Sequence, residues 1–236
     1  MPVGQLQARD AYALLRLPDG RLLFGHHGGV QVSGDRGATW KNLLDNPNFD
    51  GMNLQLVGRN IVLAGHTVYA TSLDGRRWVS GKPKGPGGTD LHGYAVDPAN
   101  AVRQYAWEAG TRLCASTDGG LTWKPLTAQN LPPDVMRLAA GPKGTLYALS
   151  ARTGLWRATN GGNFFASLRT PGTQPFTLSV AADGALWAGG KGDVWRQQNA
   201  WARIADEPTR LVAVNPRRPG EAVWVDKQAA VHRTDD

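Results

Sequence analysis

Five histidines, nineteen carboxylates and one thiol are the reactive side chains of this 236-residue sequence. His26-His27 and His66 suggest a metal site at first sight. Zinc requires three or four ligands in fixed geometry, and no Cys or suitably spaced carboxylate joins these three, so no metal and no cofactor is expected. His92 and His232 stand alone in apolar segments and read as hydrogen-bonded structure. Glycoside hydrolysis needs two carboxylates across a cleft. Asp50, Asp90, Glu108 and Asp134 lie on segments able to reach one face, and nothing in their spacing selects a pair. Cys114, inside Arg-Leu-Cys-Ala, reads as a small buried hydrophobe and excludes an internal disulfide. No Ser-His-Asp signature, phosphate loop or dinucleotide fingerprint is present.

The elements that must position these residues repeat along the chain. Ser33-Gly-Asp35-Arg-Gly37-Ala-Thr39-Trp40 returns as Ser116-Thr-Asp118-Gly-Gly120-Leu-Thr122-Trp123, one residue shorter as Ser72-Leu-Asp74-Gly75-Arg-Arg-Trp78, and in decayed form as Ala158-Thr-Asn160-Gly-Gly162-Asn-Phe164-Phe165. A fifth unit keeps only Trp201, and a sixth ends on Thr234 and Asp236 in the positions of the Ser and Asp. Each unit begins with an alternating strand: Tyr12–Leu17, Leu54–Val57, Gly93–Val96, Met136–Ala140, Phe176–Val180 and Arg210–Val214. Their starts, near 12, 54, 93, 136, 176 and 210, are about 35 to 45 residues apart, the period of a four-stranded propeller blade. Pro18-Asp-Gly20, Gly141-Pro-Lys-Gly144 and Asp183-Gly184 supply turns between first and second strands. No segment shows helical periodicity. The fold class expected is all-β, a six-bladed β-propeller forming one domain over 1–236, with five or seven blades as the alternative counts. Residues 1–9 supply the strand missing from the last blade, which closes the ring and removes exposed edges.

This pattern resembles the Asp-box, or BNR-repeat, family of sialidases, sortilin-type receptors, some glucanases and photosystem-II assembly propellers. The box side chains Ser33, Asp35, Gly37, Trp40, Ser72, Asp74, Trp78, Ser116, Asp118, Gly120 and Trp123 read as scaffold. The acid accepts backbone N–H groups in its turn, the Gly permits positive φ, and the aromatic wedges between sheets. One acid per loop is too few for Ca²⁺.

In the enzymes resembled, the active site lies away from the boxes. The residue six before the box Ser, at the turn after the second strand, is His27, His66, Gly110, Arg152, Lys191 or Gln228, with His26, Glu108 and Lys227 beside them. His26, His27, His66, Arg152, Lys191 and Gln228 are the candidate ligand-binding set, a ring of donors suited to an anion; polar hairpin tips are the alternative. Lys82-Pro-Lys-Gly-Pro-Gly-Gly-Thr-Asp90 reads as a loop able to fold over a ligand, and Asp45–Met52 and Thr127–Val135 as the other long connections of that face. A sialidase is disfavoured. Arg16 of Leu15-Arg16-Leu17-Pro18 leads into the Asp19-Gly20 turn on the box face, and Glu108 and Tyr105, three apart on a strand, point to opposite sides.

Two functions stay open. One is a non-catalytic binding or assembly propeller docking a protein, peptide, glycan or other anionic ligand. The other is a carbohydrate-active enzyme using Glu108, Asp90, Asp50 or Asp134. The net charge of +7 comes from 26 scattered Lys and Arg, without the stripe of a dedicated nucleic-acid binder. No run is apolar enough to span a bilayer, and a monomer is expected. The resemblance implies a periplasmic or secreted protein, although the first residues lack the basic start and apolar stretch of a leader.

Overall fold

The computed structural model describes all residues except 7–9, 67, 82–89, 109, 173, 217 and 235–236. Residues 82–89 of the expected loop Lys82–Asp90, and Asp236, therefore lie outside the described residues.

Six antiparallel sheets follow one another along the chain. After β1 (Gly4–Gln5) comes blade 1, with β2 (Ala13–Arg16), β3 (Leu22–Ser33) and β4 (Lys41–Asp50). Blade 2 holds β5 (Asn53–Val57), β6 (Asn60–Ala64), β7 (Tyr69–Ser72) and β8 (Val79–Ser80). Blade 3 holds β9 (Leu91–Val96), β10 (Gln104–Glu108), β11 (Arg112–Ser116) and β12 (Lys124–Pro125). Blade 4 holds β13 (Val135–Ala140), β14 (Leu146–Ser150), β15 (Gly154–Ala158) and β16 (Ala166–Ser167). Blade 5 holds β17 (Pro175–Val180), β18 (Leu186–Gly190), β19 (Val194–Gln197) and β20 (Trp201–Ala205). Blade 6 holds β21 (Thr209–Val214), β22 (Ala222–Asp226) and β23 (Ala230–Arg233), and takes β1 as its outer strand. Gly4 pairs with Val231 and Gln5 with Ala230, so the two ends of the chain close the ring.

The period-two alternation of the strands explains how the blades adhere. In β6, Ile61 and Leu63 pack toward blade 1 with Leu23 and Val30, while Val62 and Ala64 pack toward blade 3 with Tyr94 and Trp123. Six apolar clusters result, one at each seam between neighbouring blades. Trp187, fully buried, fills the seam between blades 5 and 6, and Leu6, Phe24 and Val231 fill the closing seam between blades 6 and 1.

The repeated turns join the third strand to the fourth, and their side chains are consumed locally. Ser116 Oγ accepts the Gly120 N–H at 2.9 Å and donates to Asp118 Oδ1 at 2.7 Å. Asp118 also accepts the Thr122 N–H (2.9 Å) and hydroxyl (2.5 Å), and Trp123 Nε1 donates to Gly120 O at 3.1 Å. Ser33, Asp35, Gly37, Thr39 and Trp40 repeat this set in blade 1. In the shorter turn of blade 2, Asp74 accepts the N–H groups of Arg76 and Arg77 instead. The bonds from Thr39 to Asp35 and from Thr122 to Asp118 hold both carboxyls down to a pKa of about 2. Gly120 sits at φ +88, where a Cβ would lie 2.7 Å from Gln104 Oε1.

Blade 1 departs from the expected pattern. A single long β3, with Gly28 and Gly29 at positive φ, replaces separate second and third strands. The expected connection Asp45–Met52 is strand as far as Asp50. The register is interrupted after Gly29 pairs with Asp45 and resumes where His27 pairs with Asp50. A Cβ on Gly29 would lie 1.9 Å from Leu44 O, so only glycine lets β3 and β4 approach this closely.

Candidate functional site

Strands alternate in direction, so the turns after second strands and the connections after fourth strands share the face opposite the repeated Ser–Asp turns. Blades 1 to 3 place a row of alternating carboxylates and imidazoles on that face. Asp10 Oδ2 lies 2.5 Å from His27 Nδ1. His27 Nε2 lies 3.6 Å from Asp50 Oδ2, which is 3.7 Å from His66 Nε2. On its other side His66 Nδ1 is 2.8 Å from Asp90 Oδ1, and His92 Nε2 is 3.3 Å from both of those atoms. The extension of β4 carries Asp50 into the middle of this row. Asp50 is 9 % exposed, and its Oδ1 is buried with no hydrogen-bond partner.

Beside the row is an open hollow of ≈ 400 Å³ lined by Tyr12, Met52, His92, Trp107, Asp134 and Arg137, among others. Tyr12 packs edge-on against His27, with ring centroids 4.8 Å apart. Burial, then the charges of Asp10 and Asp50, raise its phenol pKa above the ordinary value. Arg137 follows the bulge in β13 and reaches across the ring. Its Nη1 donates to Tyr12 O at 2.7 Å and its Nε to Phe176 O at 3.0 Å, tying blade 4 to blades 1 and 5. No carboxylate among the described residues pairs with it. Burial lowers its pKa to about 10, which still leaves the guanidinium charged at neutral pH.

The residues singled out from sequence are not all brought together. His27, His66, Asp50 and Asp90 meet in the row. His26 turns inward, stacks on Phe24 and carries its Nδ1 2.6 Å from His27 O. Arg152 pairs with Asp134 at 3.2 Å, and Asp134 also accepts the Ser150 hydroxyl. Lys191 Nζ stands 6.0 Å over the Phe176 ring. Gln228 occupies the β22–β23 turn, where its backbone N–H donates to Asp226 and its carbonyl accepts Gln5 Nε2. Gly110 lines the hollow. Glu108 is buried and accepts from Arg112 Nε at 2.8 Å. Asp10, Tyr12, His92 and Arg137 were not selected by sequence. For Arg137 a signal existed, since a guanidinium in the otherwise apolar inner strand Val135–Ala140 must face the channel or its mouth.

On the same face, His232 is held by Glu207 (3.0 Å from Nδ1) and Asp226 (2.9 Å from Nε2) and stacks on Trp224. Both ring nitrogens are engaged, and Asp226 Oδ1 ties the β22–β23 turn through Gln228 N and Ala230 N, so this triad is structural. Cys114 is buried, and burial pushes its thiol up to about 11, which leaves it protonated and unreactive at neutral pH. On the opposite face Arg16 pairs with Glu221 at 3.0 Å. No described helix is long and apolar enough to cross a membrane.

No protein-family model matches the chain, and no curated protein matches it in sequence. Solved structures do. A gluconolactonase of Xanthomonas campestris superposes with a TM-score of 0.75 at 12 % identity, over 98 % of this chain and 87 % of its own. YCF48, solved bound to D1 peptide, gives 0.61 at 16 % identity, over 98 % and 80 %. PorZ, a surface component of the type-IX secretion system of Porphyromonas gingivalis, gives 0.65 at 17 % over 97 % of this chain, and a GH74 enzyme of Niastella koreensis gives 0.61 at 16 % over 94 %. This chain spans only 31 % of PorZ and 36 % of the GH74 enzyme. At such identities the likeness shows the fold alone. The chain is a six-bladed β-propeller, of a shape used by enzymes and by binding or assembly proteins alike.

Proposed function

We propose that this chain is an Asp-box propeller that binds, without catalysis, an acidic protein or peptide segment at the face opposite its boxes. The observation that carries this reading is Arg137. A guanidinium partly withdrawn from water and bonded, among the described residues, to two backbone carbonyls and no carboxylate keeps an uncompensated charge. A carboxylate or other anion seated in the hollow would compensate it. Tyr12, Met52 and Trp107 supply apolar and aromatic walls, the lining common to peptide anchors. His27 and His66 lie beside the hollow, and Arg152, Lys191 and Gln228 extend the polar rim.

Hydrolysis fits the geometry less well. A general acid must hold its proton near neutral pH, which needs an apolar setting away from cations. Glu108 is bonded to Arg112, Asp134 to Ser150 and Arg152, and Asp90 to His66, while Asp50 faces the imidazoles of His27 and His66 at 3.6 and 3.7 Å. The peptide held by YCF48 and the surface location of PorZ support a docking role and a place outside the cytoplasm for this chain.

The test is a binding screen of the folded chain against arrays of acidic peptides and of neutral and acidic glycans, in parallel with Arg137→Met. Selective capture of acidic peptides, weakened by Arg137→Met, is the expected result. Capture of neutral oligosaccharides, with release of reducing ends, would overturn the reading in favour of a glycosidase.

A further inference from the structure

We infer that His66, Asp90 and His92 form a binding site for a divalent transition-metal ion of the zinc type. His66 Nδ1, Asp90 Oδ1 and His92 Nε2 form a triangle with edges of 2.8, 3.3 and 3.3 Å. Tetrahedral zinc with bonds of about 2.0–2.1 Å sets its ligand atoms about 3.3 Å apart. An ion about 2.1 Å from all three atoms therefore fits about 1 Å above the plane of this triangle. Two imidazole nitrogens and a carboxylate oxygen converge here within 3.3 Å of one another. Two neutral imidazoles can fill such a gap with at most one N–H between their facing nitrogens, whereas an ion satisfies all three acceptors together.

The surroundings are those of a metal ligand shell. With Nδ1 on the ion, the neutral ring of His66 must carry its proton on Nε2, the atom facing Asp50. Asp50 is largely buried, and its 3.7 Å separation from that nitrogen needs only a small closure to become a hydrogen bond. His27 and Asp10 continue the support on the far side of Asp50. His66 and Asp90 are partly open to solvent, so the fourth corner is available to water or to a ligand group. His92 also lines the hollow beside Arg137, which puts the ion at the hollow's edge. The Glu207–Asp226–His232 triad differs in kind, because it offers a single imidazole and both of its nitrogens are already within hydrogen-bond distance of carboxylates, at 3.0 and 2.9 Å.

Sequence spacing hides this site. Asp90 is separated from His66 by two strands, β7 and β8, and His92 lies in β9 of the next blade. Only the propeller's ring brings them together.

The experiment is a titration of the full chain, purified without a polyhistidine tag, with Zn²⁺ against a chromogenic chelator. The expected result is one ion per chain. Its affinity falls at least about 100-fold in Asp90→Asn with His92→Gln, and about 10–100-fold in Asp50→Asn, as for other outer-shell carboxylates. His232→Gln should leave it unchanged. Equal Zn²⁺ affinity in wild type and the Asp90→Asn, His92→Gln variant, or no saturable binding by wild type, would overturn the site. Circular dichroism in excess chelator establishes that each variant is folded. Substitution of Co²⁺ into wild type needs no variant. Intense visible ligand-field bands and paramagnetically shifted ring protons from two histidines support the site, and their absence refutes it.

Discussion

Replacing Ser116 with alanine should destabilise the whole propeller through one buried N–H group. Ser116 is 1 % exposed, and its hydroxyl accepts from Gly120 N at 2.9 Å while donating to Asp118 at 2.7 Å. Gly120 is itself buried, so in Ser116→Ala its N–H keeps neither its acceptor nor access to water. A buried donor left unsatisfied costs about 1–3 kcal/mol, and the lost restraint on Asp118 adds to the same side. For a domain of this size each kcal/mol lowers Tm by about 2–4 °C, so a fall of about 2–12 °C follows. Urea and thermal unfolding read through tryptophan fluorescence are suitable, with Leu121→Ser as an exposed control expected within about 0.5 kcal/mol of wild type. Ser33→Ala should cost a similar amount, and the two should add within about 0.5 kcal/mol because blade 2 separates them. A Ser116→Ala chain within 0.5 kcal/mol of wild type, with an unchanged dependence on urea, would refute the claim that this hydroxyl holds the turn.

Two further predictions concern the scaffold. Asp35 and Asp118 have folded pKa values of about 2, below the ordinary 3.8, so their stabilising contribution is complete above pH 4 and is lost as pH falls from about 4 to 2. The double variant Asp35→Asn, Asp118→Asn should therefore lose less stability than wild type over that interval, read as urea midpoint against pH. Leu6, 4 % exposed, packs with Val225, Val231 and Phe24 where the ring closes, so Leu6→Ala should cost about 2–5 kcal/mol in the same assay.

The propeller was legible because its signal is repeated and local. Turn chemistry recurs in the first four units, and the inner strands begin within a residue or two of where alternation places them, as Ala13–Arg16 and Val135–Ala140 show. Closure by the N-terminus followed from counting three strands in the last unit. Blade 1 was harder. Asp45–Met52 reads as a connection between blades, yet β4 continues to Asp50 because Gly28 and Gly29 let β3 bend beside it. Aligning hairpin tips found His27 and His66, since both sit at equivalent offsets from a box. It passed over Asp10 and Tyr12 before β2, His92 at the start of β9 and Arg137 after a bulge, because these reach the same face from other structural positions. Arg152 and Lys191 share the tip offset, but their partners, Asp134 and the Phe176 ring, could be identified only in three dimensions.

The proposed function requires that the face opposite the repeated turns binds the ligand. The most direct measurement is a hydrogen-exchange footprint of the chain with its tightest-binding acidic peptide from the array. Protection at Tyr12, Trp107 and Met136-Arg137, lost in Arg137→Met while the repeated turns exchange as before, is the predicted result. Protection confined to the turns around Asp35 and Asp118, with the Arg137 segment unaffected, would contradict it.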